Sequence, residues 1–353
     1  MIRGGRLHRS TFLALPLLVM VAACGAGDDG PPEQPVAARP APPPTIGDVE
    51  RLDPRLDGLV PADAVIEILA EGFEWSEGPV WIDEGGYLLF SDVPRNRILR
   101  WREGEGAETW LEPSGYTAET PRGGEPGSNG LLLDAQNRLV LCQHGDRRVS
   151  RLEAPLAAPE PRFTTLADRY EGMRFSSPND AVFSSDGSLY FTDPPYGLPL
   201  GPGDPSKETP FNGVYRLGTD GEVTLLSDEL SRPNGIALAP DEKTLYVANS
   251  DPERAIWMAW DLAADGTVAN GRVFFDATDW VPQRPGLPDG LKVYAAGNLW
   301  ATGPGGVLVL AADGTHLGTL RTTQPTANCA FGEDGTTLFM TADNYLLRVR
   351  LGG

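Results

Sequence analysis

Six residues of one chain share a local setting and carry hard oxygen donors: Glu77, Asn129, Asn179, Asn234, Asp289 and Asn328. Each stands just ahead of a short apolar run, which leads through a polar turn into a second, longer run. The clearest copy is Pro178-Asn179-Asp180, then 181–183, the turn Ser185-Asp186-Gly187, and 189–192 ending at Asp193. Read with period two, this is a β-hairpin whose polar residues collect at one end. Two carboxylates and four amides, with no Cys or His among them, form a donor set for a hard divalent cation. Calcium suits it best, and magnesium, manganese or zinc less well. Taken singly, an Asn or Asp before Gly is only a turn former. Six in register, one of them a Glu, require a shared role, because buried amides and carboxylates need a partner.

The elements that must position them recur with the same period. Successive copies are 52, 50, 55, 55 and 39 residues apart by subtraction, a repeat length typical of radial β architectures. Each hairpin is followed by a third strand, at 96–101, 147–152, 213–217, 255–260, 306–310 and 345–351. The first five also have a fourth, at 108–111, 162–166, 222–226, 272–275 and 316–320. The sixth copy lacks one, and residues 65–71 resemble the missing strand. The expected fold is therefore all-β, a six-bladed propeller with four strands per blade. An N-terminal strand completes its last blade, which removes an open sheet edge. In such a ring the first strand of each blade lines the central channel. Glu77, Asn179, Asn234 and Asp289 would then meet at one mouth, with Asn129 and Asn328 beside them.

The rest of the chain reads simply. Arg3, Arg6 and Arg9 precede an apolar run at 12–23 that is too short to span a bilayer and has the pattern of a secretory signal over 1–23. Its end, Val21-Ala22-Ala23-Cys24, resembles a bacterial lipobox, so Cys24 is expected to carry lipid. With Gly25 following, the expected location is the periplasmic side of the outer membrane. Residues 24–62, rich in Pro and Ala, are expected to be a flexible tether, with the propeller at 63–353. The net charge of −20 makes nucleic acid and anionic membrane surface poor partners and a cation a good one. Membrane contact is expected only through the lipid, and no obligate protein partner is implied. Of three cysteines, Cys142 and Cys329 fall in inner strands, where a free thiol packs as a small hydrophobe, and a disulfide between them is allowed in a periplasmic setting but not required.

Four segments carry a resemblance to a known family: Asp168-Arg169-Tyr170-Glu171-Gly172, Ser177-Pro178-Asn179-Asp180, the run from Tyr190 to Pro194-Pro195-Tyr196-Gly197, and Arg232-Pro233-Asn234-Gly235-Ile236. They resemble the SMP-30/gluconolactonase family, and the likeness covers about residues 65–351. It implies a six-bladed propeller that opens sugar lactones with one divalent cation in its channel. By that resemblance the ligands are Glu77, Asn179, Asn234 and Asp289, and Asp289 is also the base that activates water. Asp180 and His144 are further candidates for proton transfer. Arg174 and Asn129 are expected to contact substrate, as are His144 and Asp180. Met173 replaces a Lys common among relatives, which leaves the substrate open.

Two rival readings use the same scaffold. One is a metal-dependent aryl-ester or phosphotriester hydrolase, and the other is a non-catalytic binding propeller with a structural cation. A Ser-His-Asp hydrolase is disfavoured: no Gly-x-Ser-x-Gly occurs, and only His144 and His316 lie beyond the signal.

Overall fold

A computed structural model describes residues 43–352 apart from Pro121 and Ala295. The expected signal, the lipidation site Cys24 and the first part of the tether fall outside the described residues.

Six sheets follow one another along the chain. The first contains Ser76–Ile82, Tyr87–Asp92, Arg97–Arg102 and Gly106–Leu111, each strand antiparallel to the next. The same meander recurs from Ser128–Leu133, Ala181–Phe183, Pro233–Leu238, Leu291–Val293 and Asn328–Gly332. Burial falls from the axis outward. The second strands Tyr87–Asp92, Leu139–Gln143 and Leu189–Asp193 are buried along their whole length, whereas most of the outer strand Val268–Asp276 is exposed. A second strand has a blade packed on both faces, so its residues are apolar without alternation.

The cores lie between blades. Leu141 and Leu152 of blade two pack on Leu89 and Ile98 of blade one, and equivalent clusters join each following pair. Blades five and six share Trp300, Val307, Leu338 and Met340. The ring closes where Phe339 and Leu346 of blade six meet Leu88, Phe90 and Trp101 of blade one, with Trp81 stacked on Phe339 at 5.2 Å. The fold is a closed six-bladed β-propeller.

Closure follows the expectation, with one addition. Glu67–Glu71 pairs with Tyr345–Arg350 as the fourth strand of blade six. Arg348, almost fully buried, binds the carboxylates of Glu67 and Glu103 and so ties blade six to blade one. The expected tether, however, does not extend to residue 62. Asp48–Arg51 pairs with His316–Arg321 as a fifth strand on blade five. The chain then makes a short 3-10 turn at Pro54–Gly58 and buries Leu56 and Val60 in the core shared by blades five and six. Proline content concealed this segment, but Ile46, Val49, Leu56 and Leu59 supply enough apolar surface to hold it.

Cys142 and Cys329 are free thiols with no exposed surface. Burial pushes the Cys329 thiol up to about 12, so neither packing site favours a thiolate.

Candidate metal centre and substrate cavity

Where the first strands of blades one, two and four enter the channel, their pairing breaks. The register with the second strand slips between Glu77 and Val80, between Ser128 and Leu131, and between Pro233 and Ile236. An extra residue in one strand bends it and turns a side chain out of the alternation. Glu77, Asn129 and Asn234 occupy these bulges, while Asn179 and Asp289 stand just ahead of the short strands of blades three and five. The glycines after Glu77 and Asn234 have a packing reason. A Cβ on Gly78 would lie 2.1 Å from the Asn129 carbonyl oxygen, and one on Gly235 would lie 2.2 Å from that of Asp289. Neighbouring first strands approach too closely at the axis for any side chain there.

A second device recurs at the ends of the second strands. Asp92 accepts from the Glu74 N–H at 3.0 Å, Asp193 from the N–H groups of Ser176 and Ser177, and Asn249 from the Arg232 N–H at 2.9 Å. Each acceptor clamps the backbone two or three residues before a donor, namely Glu77, Asn179 and Asn234. Burial pushes the Asp193 carboxyl up to about 7, with the two serine N–H groups pulling it down.

The donors meet at a cavity of about 490 Å³. Glu77, Asn129, Asn179, Asn234 and Asp289 all line it. Glu77, Asn129, Asn179 and Asn234 have at most 4 % of their surface exposed. Asp289 keeps some exposed surface, yet its Oδ1 is shut off from solvent. Three shielded oxygens, on Asn129, Asn234 and Asp289, have no hydrogen-bond donor. Buried acceptors left unpaired on one cavity are costly, and a cation is a partner suited to such oxygens. The carboxyls register the same cost. Burial pushes Glu77 up to about 8, opposed by the Gly78 N–H and assisted by the negative charge of Asp180. Burial and then the charge of Glu77 hold Asp289 well above the usual carboxylate range. Among the described residues no three His, Cys, Asp or Glu side chains cluster as a metal site. Any cation here would therefore depend on the amide oxygens, in keeping with a hard ion.

Of the four residues expected to touch substrate, only Asn129 lines this cavity. Asp180 lies beneath it in the channel. Its Oδ1 accepts from the Ala181 N–H at 2.9 Å, and its Oδ2 lies 3.4 Å from the Asn328 amide and 3.8 Å from Lys292 Nζ. Lys292 also donates to Asn328 Oδ1 at 3.3 Å, so Asn328 serves this lower network and not the cavity wall. Arg174 is turned outward, donating to the Asp146 carbonyl while its own N–H meets Glu208. His144 is wholly buried behind the wall. Arg174 was expected from the family resemblance, Asp180 from the Asn-Asp motif and His144 from its strand end, and the neighbouring loops hold all three off the cavity wall.

The wall is completed by residues the sequence reading did not assign: Trp75, Glu125, Tyr196, Arg232 and Arg284. Tyr196 and Arg232 stood inside the motifs already noted, and that was the available signal. The Tyr196 hydroxyl donates to the Ser250 carbonyl at 3.3 Å, and burial raises its pKa. Arg284 packs on Trp280 at 4.7 Å and pairs with Glu50 at 3.4 Å. Arg232 has no ionic or hydrogen-bonding partner for its guanidinium among the described residues. Glu125 and Arg284 lie in irregular segments where no periodicity marks a role.

Known proteins agree with this architecture. The family profile described as SMP-30/Gluconolactonase/LRE-like region matches residues 75–344. A gluconolactonase of Zymomonas mobilis is 38% identical over 352 residues, covering 98% of each chain. A pentonolactonase of Haloferax volcanii is 28% identical over 270 residues, covering 75% of this chain and 80% of its own. Among solved structures, a gluconolactonase from Xanthomonas campestris superposes with a TM-score of 0.74 at 34% identity, covering 89% of this chain and 99% of that one. With its bulged first strands, axial donors and closed six-bladed ring, the chain belongs to the SMP-30/gluconolactonase/LRE-like family.

Proposed function

We propose that the chain is a divalent-cation-dependent hydrolase that opens a sugar lactone. The observation that carries this reading is the set of shielded, donorless oxygens on Asn129, Asn234 and Asp289, on one cavity with the buried Glu77 carboxyl. The likeness to lactonases along nearly the whole chain supports it. Glu77, Asn179, Asn234 and Asp289 would hold the cation, with calcium the best match to the donors and zinc, magnesium or manganese as alternatives. When bound, the cation would supply Lewis-acid polarisation of the lactone carbonyl.

The chain's own residues account for the remainder. Asn129 and Tyr196 present polar groups to ring hydroxyls, and Arg232 presents an uncommitted cation. Trp75 and Leu287 give the cavity apolar wall, suited to the C–H faces of a sugar ring. Ring opening by water releases a proton, and Asp289 is the first candidate to take it. A lipid on Cys24 would place this cavity on the periplasmic side of a bacterial membrane.

The deciding experiment is a panel of aldonolactones, aryl esters and phosphotriesters, assayed after chelation and again with calcium, magnesium, manganese or zinc restored. Lactone turnover that chelation abolishes and a cation restores is the expected result. Turnover of esters or phosphotriesters alone would move the substrate class. No turnover of any substrate with any cation would leave the site a structural cation centre.

A further inference from the structure

The cavity holds a third carboxylate that the proposed ligand set does not use. Glu125 lies on the wall, in the segment 112–127 that links blades one and two, with 36% of its side chain exposed. Arg122, three residues before Glu125, is held in place. The Arg122 guanidinium donates to the carbonyls of Gly145 and Gly197 and packs over the Tyr116 ring at 5.6 Å. Behind Glu125 sits His144, with no exposed surface and no hydrogen-bond partner on either ring nitrogen. An imidazole carries at least one N–H, and leaving it unpaired in the interior is costly. The carboxylate in range is Glu125, whose Oε2 is 3.5 Å from His144 Nδ1. Gly197 packs against the root of the same side chain, where an added Cβ would come within 2.5 Å of His144 Cβ. The proton therefore belongs on Nδ1, facing Glu125. A contact this long is usual in a ligand-free site and shortens when substrate binds.

Asp289 and Glu125 compete for the proton that ring opening releases. The Asp289 Oδ1 lies among donorless acceptors, where a cation would claim it, and a carboxylate engaged by a cation is a weak base. Glu125 lies outside that set. We propose that Glu125 is the general base of the reaction and that His144 is its positioning residue, an inference that rests on the lactonase reading above. As the water oxygen bonds to the carbonyl carbon, the C=O π pair moves onto the carbonyl oxygen and the water proton passes to Glu125. As the carbonyl re-forms, the ring C–O bond breaks, its electron pair goes to the ring oxygen, and Glu125 returns the proton there. One water is consumed, the product is the hydroxy acid, and Glu125 ends as it began. His144 keeps its Nδ1 proton throughout and fixes which oxygen of Glu125 faces the cavity.

The test uses the full chain with saturating calcium and a lactone that the wild type opens. Glu125→Gln preserves shape and lowers kcat on the order of 10²-fold or more, while calcium affinity measured by calorimetry stays within about twofold. Formate restores part of the rate to Glu125→Ala, a readout that a merely structural role would not move. His144→Leu lowers kcat roughly 10-fold with little change in KM. His144→Asn, which can donate from about the same place, keeps most of the rate, and His144→Leu costs nothing further once Glu125 is Gln. Wild-type kcat in Glu125→Gln overturns the proposal, as do losses at the two sites that multiply. The Glu125 variants decide the matter even where a His144 variant fails to fold. A wild type that opens no lactone brings down the lactonase reading and this one with it. A wild type and Glu125→Gln that are equally active bring down this one alone.

Discussion

Asp193 Oδ1 accepts a hydrogen bond from the Ser177 N–H at 2.7 Å, and Oδ2 accepts one from Ser176 at 2.8 Å. Asp193 ends a second strand and Ser177 precedes Asn179 by two residues, so the pair sets the point at which Asn179 meets the axis. Asp92 and Asn249 do the same for Glu77 and Asn234. Thr192, beside Asp193, donates to the Asn234 carbonyl at 2.6 Å and links blade three to the next donor. The cavity floor is thus built from inter-strand clamps repeated around the ring.

Removing one clamp should loosen one donor. Asp193→Ala leaves the Ser176 and Ser177 N–H groups unpaired and frees the Asn179 backbone. Calcium affinity is expected to fall roughly 10- to 100-fold, as for loss of a group that orients a ligand, with the fold retained by circular dichroism. Unchanged calorimetric affinity would count against the clamp.

Glu77 and Asp289 carry the charge of the donor set. Glu77→Gln and Asp289→Asn should each weaken cation binding far more than Asn328→Ala, since Asn328 serves the Asp180–Lys292 network. At saturating calcium, Asp289→Asn should regain most of its lactonase rate if Glu125 is the base. A loss on the order of 10²-fold that persists at saturation would make Asp289 the base instead.

The buried carboxyls also predict a pH dependence. Glu77 titrates at about 8 in the folded cation-free protein against an ordinary 4.5. Between those values the folded state holds a proton that the unfolded state has lost, so stability falls as pH rises through the window. Asp289 is shifted in the same direction. With chelator present, Tm should drop from pH 5 to pH 8, and excess calcium should stabilise more at pH 8 than at pH 5. Parallel melts with and without calcium across that range would contradict a cation held by these groups.

The strap before the ring can be tested at one residue. Leu56 is fully buried between blades five and six, so Leu56→Ala should cost about 2–5 kcal/mol in denaturant unfolding. An effect below about 0.5 kcal/mol, the usual size at a surface site, would mean that the strap adds nothing to closure.

We propose that a lipid on Cys24 attaches the protein to the membrane. Cys24→Ser should move the protein from the membrane fraction to the soluble one, and equal retention of both forms would remove the lipid from the account.

Blade number, strand order and the N-terminal closing strand were legible in the sequence, because each blade repeats one apolar pattern and a ring needs its last edge paired. Five axial positions were legible for the same reason: hairpins in register bring Glu77, Asn129, Asn179, Asn234 and Asp289 to one cavity, while Asn328 joins the network beneath it. Local pattern also misled. Pro-rich composition hid Asp48–Arg51 and Leu56, whose burial depends on contacts with strands some 270 residues away. Glu125, Arg284 and the burial of His144 left no local trace, since loops between blades follow no period and their course is set by distant partners such as Arg122 with Gly197. Arg174 was assigned by resemblance and Asp180 by its place beside Asn179, but the Asp146 carbonyl and Lys292 claimed them. Sequence alone therefore determined the ring and the kind of atoms at its axis, because both follow from a repeating short-range pattern. Only the tertiary structure decided which side chains face the cavity, because that choice is made by contacts between loops far apart in the chain.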